Sequence, residues 1–438
     1  MVGFKRFSKI LDSRNVTLVT NLSKSYGNYL VDMNGKKYLD MYCNIASLPV
    51  GYNHPTLEKI NFNSRSLKGL LLQRSALGVN PPIEWIDQVE QLYNNYSPKG
   101  LDFMYMGCGC GSSANENAFK AAFLNYAKNN FGELNMEERV KSVLNNQEPG
   151  APKLTILSFE KGFHGRTLGC LSATRSNPYH KLNIPAFNWP VAPFPNLKYP
   201  LENHINENKL EEERCLNEIN KIMKEDTTIA GSIIEPIQAE GGDRHASDNF
   251  FRELRRIAKD NKITFIVDEV QTGVGTTGKM WAHQHWSDEN SLPDIVTFSK
   301  KMQVAGYFCK PEYRPDNPYQ NFNTWLGDPF RIVMSNKIAE IIKEDNLIEN
   351  ANNVGKYLLN NLKDIEKNTN KISNIRGRGT FISFDHKNPE ELKNKLFENG
   401  VNTGLCGLNS IRLRPSLTFS YLEADEFLTN LELCLKMI

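Results

Sequence analysis

The chain has 438 residues and is 40% hydrophobic, enough to bury a large core and to divide into two or three units. Its formal net charge of +2 and pI near 8.0 give no charge field suited to nucleic acid or an anionic membrane. No apolar run approaches the ~18 residues of a membrane helix, and the eight scattered cysteines suit free thiols in a reducing compartment.

The N-terminus is basic and free of acid until Asp12, a faint likeness to an organellar presequence. Residues 25–31 already read as the opening of the fold and leave little removable leader. The expected compartment is therefore the cytoplasm, with the mitochondrial matrix as the alternative. Residues 28–32 turn at Asn34-Gly35 into residues 37–40, and Asn-Gly between alternating apolar residues predicts a hairpin. Helical and loop segments follow as far as Gly100.

From Phe103 onward strands and helices alternate. Short buried strands are expected at residues 103–105, 154–159, 229–234, 263–267 and 295–298, with helical spacing over 115–126 and 250–258. This predicts an α/β fold with a mostly parallel sheet covered by helices on both faces. Residues 201–225, rich in Asn, Glu and Lys, predict a surface helix after a polar loop. A long helical stretch from Arg331, extended residues at 376–384 and 410–414, and a helix near 389–399 predict an α+β terminal domain. There is no internal repeat.

The apolar run 263–267 ends in Asp268, and Lys300 closes the next strand-like segment. Ligands of open α/β sheets sit beyond the carboxyl ends of the strands. There a carboxylate can keep a pyridine nitrogen protonated and an amine can form an imine with an aldehyde, the two groups that pyridoxal phosphate needs. Either residue alone is equally a turn cap or a solvated surface amine. Residues 107–113 form a glycine-rich turn between a strand and a helix. Ser113 and Glu116 read as a capping box that starts the helix there, and free N–H groups at such a start can bind a phosphate. Phe163 and Arg166 follow another strand end, where an aromatic can cover a cofactor ring and an arginine can grip a carboxylate. Cys108 and Cys110 lack a second cysteine pair, so no metal site is expected.

The segments 110–119, 162–166, 234–243, 267–273, 297–300, 322–328, 376–381 and 411–415 resemble the class III (subgroup II) pyridoxal-phosphate aminotransferases. Within that family they are most similar to the eukaryotic 4-aminobutyrate aminotransferases, and they occur in the family's order. The resemblance implies fold type I: a large cofactor domain (56–325) with a mostly parallel seven-stranded sheet, and a small α+β domain built from segments 1–55 and 326–438. It implies a homodimer with shared active sites and pyridoxal 5'-phosphate as cofactor. Lys300, rather than the adjacent Lys301, is the implied Schiff-base lysine, with Asp268 on the pyridine nitrogen. Gln271 is expected on the ring hydroxyl, Val270 and Phe163 on opposite ring faces, and Gly111 and Ser112 on the phosphate. Thr324 would reach the phosphate of the neighbouring subunit.

For substrate, the resemblance puts Arg166 on the carboxylate distal to the reacting amine and Arg412 on the α-carboxylate of glutamate or 2-oxoglutarate. Glu240 is the implied removable counter-ion of Arg412, and Tyr42 and Ile45 would narrow the pocket around the carbon chain. Ordinary core packing after the hairpin is the other reading of those two. The implied reaction is a ping-pong transfer from 4-aminobutyrate to 2-oxoglutarate, extended to β-alanine, with lysine 6-aminotransferase the nearest alternative. One departure stands out. Animal members carry Cys-Gly-Ser-Cys here and ligate an iron–sulfur cluster across the dimer, whereas this chain has Ser113 as the last residue of that run. Two thiolates per dimer fall short of the four such a cluster takes, so no cluster is expected.

Overall fold

The computed structural model describes residues 16–72, 78–107, 109–132 and 136–438. The presequence-like N-terminus and Cys108 lie outside the described residues. The hairpin forms as expected: β1 (Tyr29–Val31) pairs antiparallel with β2 (Lys37–Asp40).

The large sheet comprises β3 (Phe103–Gly107), β4 (Thr155–Phe159), β5 (Val191–Ala192), β6 (Ile229–Ile234), β7 (Thr264–Asp268), β8 (Ile295–Phe298) and β9 (Ala305–Cys309). Its strand order is β3-β9-β8-β7-β6-β4-β5. β9 runs antiparallel to both neighbours, and the other pairs are parallel. Six carboxyl ends, those of β3, β4, β5, β6, β7 and β8, therefore open on one edge. β6, β7 and β8 are buried at every residue, which is why they read as unbroken apolar runs.

Helix α1 (Gly111–Phe131) packs on the sheet through Ala114, Ala118, Ala121 and Ala122. Helix α2 (Asp248–Asp260) starts at Ser247, whose side chain accepts from Phe250 N, and buries Phe250, Phe251, Leu254 and Ile257. Its Arg255 forms a two-pronged pair with Asp294 at 2.9 and 2.7 Å, both buried. That geometry satisfies charges whose burial would otherwise be costly.

The long helical stretch is two helices, α3 (Pro329–Glu344) and α4 (Leu347–Thr369). Ile332, Ile338 and Ile341 of α3 join the main core. Val354, Leu358 and Leu362 of α4 join a second core with Phe384 and Ile411. This second core lies under a four-stranded antiparallel sheet ordered β10-β11-β14-β13, formed by β10 (Ile372–Arg378), β11 (Phe381–His386), β13 (Gly404–Cys406) and β14 (Ser410–Leu413). β12 (Val401–Asn402) pairs with β2, so the N-terminal hairpin belongs to the C-terminal segment's structure. The last helix, α5 (Tyr421–Met437), opens on a Ser420–Glu423 capping box and was not assigned from the sequence.

Candidate active site

Asp268 ends β7, and its register partner on β8 is Thr297, three residues before Lys300. The Asp268 carboxylate is buried and accepts from Asn115 Nδ2 at 2.8 Å, Val270 N at 3.1 Å and Thr297 Oγ1 at 3.4 Å. His164 Nδ1 lies 2.9 Å from the same carboxylate, while its Nε2 is buried without a partner. Asn115 also donates to the His164 carbonyl at 2.8 Å. These hydrogen bonds hold the carboxylate in one orientation.

Lys300 has φ +41° and is half-buried. Burial pushes its amine down to about 7, with Arg412 and Lys301 adding to the shift and Glu240 opposing it. Lys301 is buried, and burial pushes it down to about 8. The two amines grip one unusual turn. Residues Cys43–Ala46 form a left-handed turn with φ between +47 and +62°, a conformation costing L-residues roughly 1–2 kcal/mol each. Lys300 Nζ donates to Ile45 O at 3.0 Å, Lys301 Nζ to Ala46 O at 3.2 Å, and Gln303 Nε2 to Ser47 O at 2.6 Å. Asp40 Oδ1 accepts from Tyr42 N and Cys43 N, each at 3.0 Å.

This turn sets Tyr42 and Ile45. Neither is ordinary core: Ile45 is exposed, and the Tyr42 hydroxyl accepts from Arg412 Nη2 at 3.1 Å. Arg412 Nη1 pairs with Glu240 Oε1 at 2.8 Å. Burial raises the Glu240 carboxyl, but Arg412 outweighs it and the net shift is downward. Burial lowers Arg412 while Glu240 raises it, and the net shift is upward. Arg412 Nε remains buried and unpartnered.

Across the site Arg166 is exposed, with its guanidinium 5.5 Å from the Phe163 ring centre. It has no hydrogen-bonded side-chain partner among the described residues. Phe163 N donates to buried Glu235 at 2.8 Å. Glu235 is pushed well up, by burial first and by Asp268 second. The His180 ring meets Phe163 edge-on at 5.5 Å, and its Nδ1 is buried without a partner.

Helix α1 begins at Gly111 with Cys110 as its N-cap, three residues earlier than the capping box predicted. Ser113 Oγ donates back to Cys110 O at 2.7 Å, and Glu116 leaves its own helix end. Its carboxylate takes Thr167 Oγ1 at 2.5 Å and Cys170 N at 3.1 Å, capping the short helix Leu168–Ala173. The α1 start stays open at Gly111 and Ser112, because the first bonds to Cys110 O come from Ser113 N at 3.0 Å and Ala114 N at 3.2 Å. Gly111 is packed against Val270: a Cβ there would lie 2.6 Å from Val270 Cγ1. Gly165 has φ +122°, and a Cβ on it would fall 2.2 Å from Ser112 Oγ. Gln271, beside Val270, has its Oε1 bound by Arg414 at 2.9 Å. Thr324 is exposed in the loop before α3, apart from the other site residues. Among the described residues no group of three or more His, Cys, Asp or Glu could hold a metal ion.

Residues 10–435 match the family described as aminotransferase class-III. The chain belongs to that family. As a class-III aminotransferase it depends on pyridoxal phosphate. It is 47% identical to a 4-aminobutyrate aminotransferase of Emericella nidulans over 99% of this chain and 88% of that one. It is 45% identical to the mitochondrial 4-aminobutyrate aminotransferase of Mus musculus, covering 97% of this chain and 86% of the relative. Among solved structures, a lysine aminotransferase from M. tuberculosis has 28% identity and a TM-score of 0.88, covering 99% and 98% of the two chains.

The aminotransferase's own residues fit the cofactor. A buried carboxylate held by several hydrogen bonds, a lysine with a depressed pKa and an open helix start beside two tightly packed glycines lie on one sheet edge. His164, Asn115, Glu235 and Arg414 escaped the sequence reading. All four lie inside the motif segments 110–119, 162–166, 234–243 and 411–415, where no role of their own marked them.

Proposed function

We propose that the chain is a 4-aminobutyrate:2-oxoglutarate aminotransferase that forms succinate semialdehyde and L-glutamate. The Glu240–Arg412 pair carries this reading. 4-Aminobutyrate has no α-carboxylate, so Arg412 needs another counter-ion while that substrate is bound, because an unpaired buried cation is costly. Glu240 supplies it at 2.8 Å. Glutamate and 2-oxoglutarate bring their own α-carboxylate, and Glu240, partly exposed, has room to swing away. Arg166, unpaired among the described residues, takes the distal carboxylate common to all three.

Bound pyridoxal phosphate supplies an aldehyde and a ring that takes up the electrons of a breaking Cα–H bond. Asp268 keeps the ring nitrogen cationic, with His164 and Asn115 behind it. Lys300 is the attachment point and the proton carrier, its low pKa keeping much of it a neutral base. Val270 and Phe163 would hold the ring, Gln271 its hydroxyl, and Gly111 and Ser112 the phosphate. Tyr42 and Ile45 limit the chain length.

β-Alanine, one methylene shorter, keeps the Arg166 contact. A single methylene discriminates by only about 1–3 kcal/mol, so this substrate also reacts. The working unit is a homodimer in which Thr324 reaches the partner's phosphate. Support comes from exposed apolar side chains at Leu168, Tyr179, Leu182, Phe187 and Trp325. The division into segments 1–55, 56–325 and 326–438 is supported by the two cores and by the β2–β12 pairing. We place the enzyme in the cytoplasm; the mitochondrial matrix, as in the name of the Mus musculus relative, is the alternative that imaging of a C-terminally tagged chain separates.

The deciding experiment is a panel of 4-aminobutyrate, β-alanine, ornithine and lysine with 2-oxoglutarate as acceptor. 4-Aminobutyrate should be the best donor. Much faster turnover of lysine would move the substrate assignment to a lysine aminotransferase and leave the chemistry in place.

A further inference from the structure

β14 ends at Leu413, so of the two arginines in the Arg-Leu-Arg run Arg412 lies on the strand and Arg414 is the residue just past it. Arg412 faces a carboxylate with water in reach. Arg414 does not: its side chain and that of its partner Asp243 are 0% and 1% exposed. Its Nη2 donates to Asp243 Oδ1 at 2.5 Å and its Nη1 to Leu413 O at 2.9 Å. The guanidinium lies 3.3 Å from the Phe381 ring centre. Nη1 also donates to Ile382 O at 3.3 Å, and Nε meets Gln271 Oε1 at 2.9 Å.

A guanidinium has donors only, so the atom of Gln271 that meets it is the oxygen. We propose that Arg414 is a positioning residue for the cofactor: by taking the Gln271 oxygen it leaves only the Nε2 hydrogens to face the 3-hydroxyl group of pyridoxal phosphate. Gln271 then acts as a donor and never as an acceptor. A donor there favours the ionised 3-oxygen, which an amide free to rotate would favour only part of the time. The Arg-Leu-Arg run thus makes one arginine a switch and the other a strut. Lys300 and Lys301 also lie within the field of Arg414, so a useful variant must keep the positive charge.

This inference rests on the reading that Gln271 meets the ring hydroxyl. The test compares holoenzyme variants Arg414→Lys, Gln271→Ala and the double variant by pH titration of the cofactor's visible absorbance, with circular dichroism and thermal melting to certify folding. Lysine keeps the charge beside Asp243 but has no Nε. Loss of one hydrogen bond to an ionised oxygen shifts its titration by about one unit. Arg414→Lys should shift the titration in the same direction as Gln271→Ala, and the double variant should add nothing to Gln271→Ala. A shift in Gln271→Ala with none in Arg414→Lys, or shifts that add, overturns the role of Arg414. No shift in Gln271→Ala overturns the Gln271 reading instead. If Arg414→Lys does not fold, Asp243→Asn, which loosens the same fork, takes its place under the same criteria.

Discussion

Glu240→Gln tests the substrate switch most directly. In the folded chain Arg412 has 4% of its side chain exposed and Glu240 27%. Breaking a fully buried pair costs about 3–5 kcal/mol, but water reaches Glu240 and glutamine keeps one acceptor. The relevant scale is that of a single charge-assisted hydrogen bond, about 1.5–3 kcal/mol. At about 1.4 kcal/mol per tenfold this becomes a loss of about 10- to 100-fold in kcat/KM for 4-aminobutyrate, which must now bind beside an under-compensated Arg412. The glutamate half-reaction should not fall, because its α-carboxylate no longer has to displace Glu240. Rapid mixing of holoenzyme with each amino donor alone, followed through the cofactor absorbance, measures the two half-reactions separately. An equal loss in both would refute the reasoning and reduce Glu240 to a structural residue.

Lys300→Ala should abolish the absorbance of the imine between this lysine and the cofactor. Lys301→Ala should keep it but lower the melting temperature, since Ala46 O loses its buried donor at a cost of about 1–3 kcal/mol; the reverse pattern would mean the wrong lysine was chosen. Because Lys300 is pushed down to about 7 from its ordinary 10.5, the folded chain resists its protonation. The associated destabilisation is fully present below about 7 and is relieved as pH rises toward 10.5. In kinetics, the rate at which apoenzyme develops the absorbance of added pyridoxal phosphate should rise through about pH 7 and then level off; a rate still climbing near pH 10 contradicts a depressed amine. Purified protein should carry no stoichiometric iron or acid-labile sulfide, and finding both would overturn the argument from Ser113.

Elements with a strong periodic signal were legible in the sequence. The hairpin, the buried parallel strands and α2 fall where alternation, apolar runs and helical spacing placed them. β9 and α5 were not assigned. β9 is a buried run without turn signals of its own, and α5 spreads its apolar residues too widely around the helix to mark one face. The capping box at Ser113 misled for a different reason. Glu116 can cap its own helix or the start of Leu168–Ala173, and only the packing of those two helices decides.

The sequence by itself determined the chemistry available. A strand-end carboxylate, a lysine after the next strand and a glycine-rich turn before a helix are local patterns, and the parallel sheet brings their ends to one edge. Tertiary structure alone decided the surroundings of like residues. Lys300 lies beside Arg412 and Glu240 while Lys301 is buried behind the left-handed turn. Arg412 pairs with a partly exposed carboxylate while Arg414 is locked against Asp243 and Gln271. The arginines' partners come from 143 to 172 positions away. Spacing within a motif fixes which face a side chain takes, but its charge environment depends on whatever distant segment the fold packs against it.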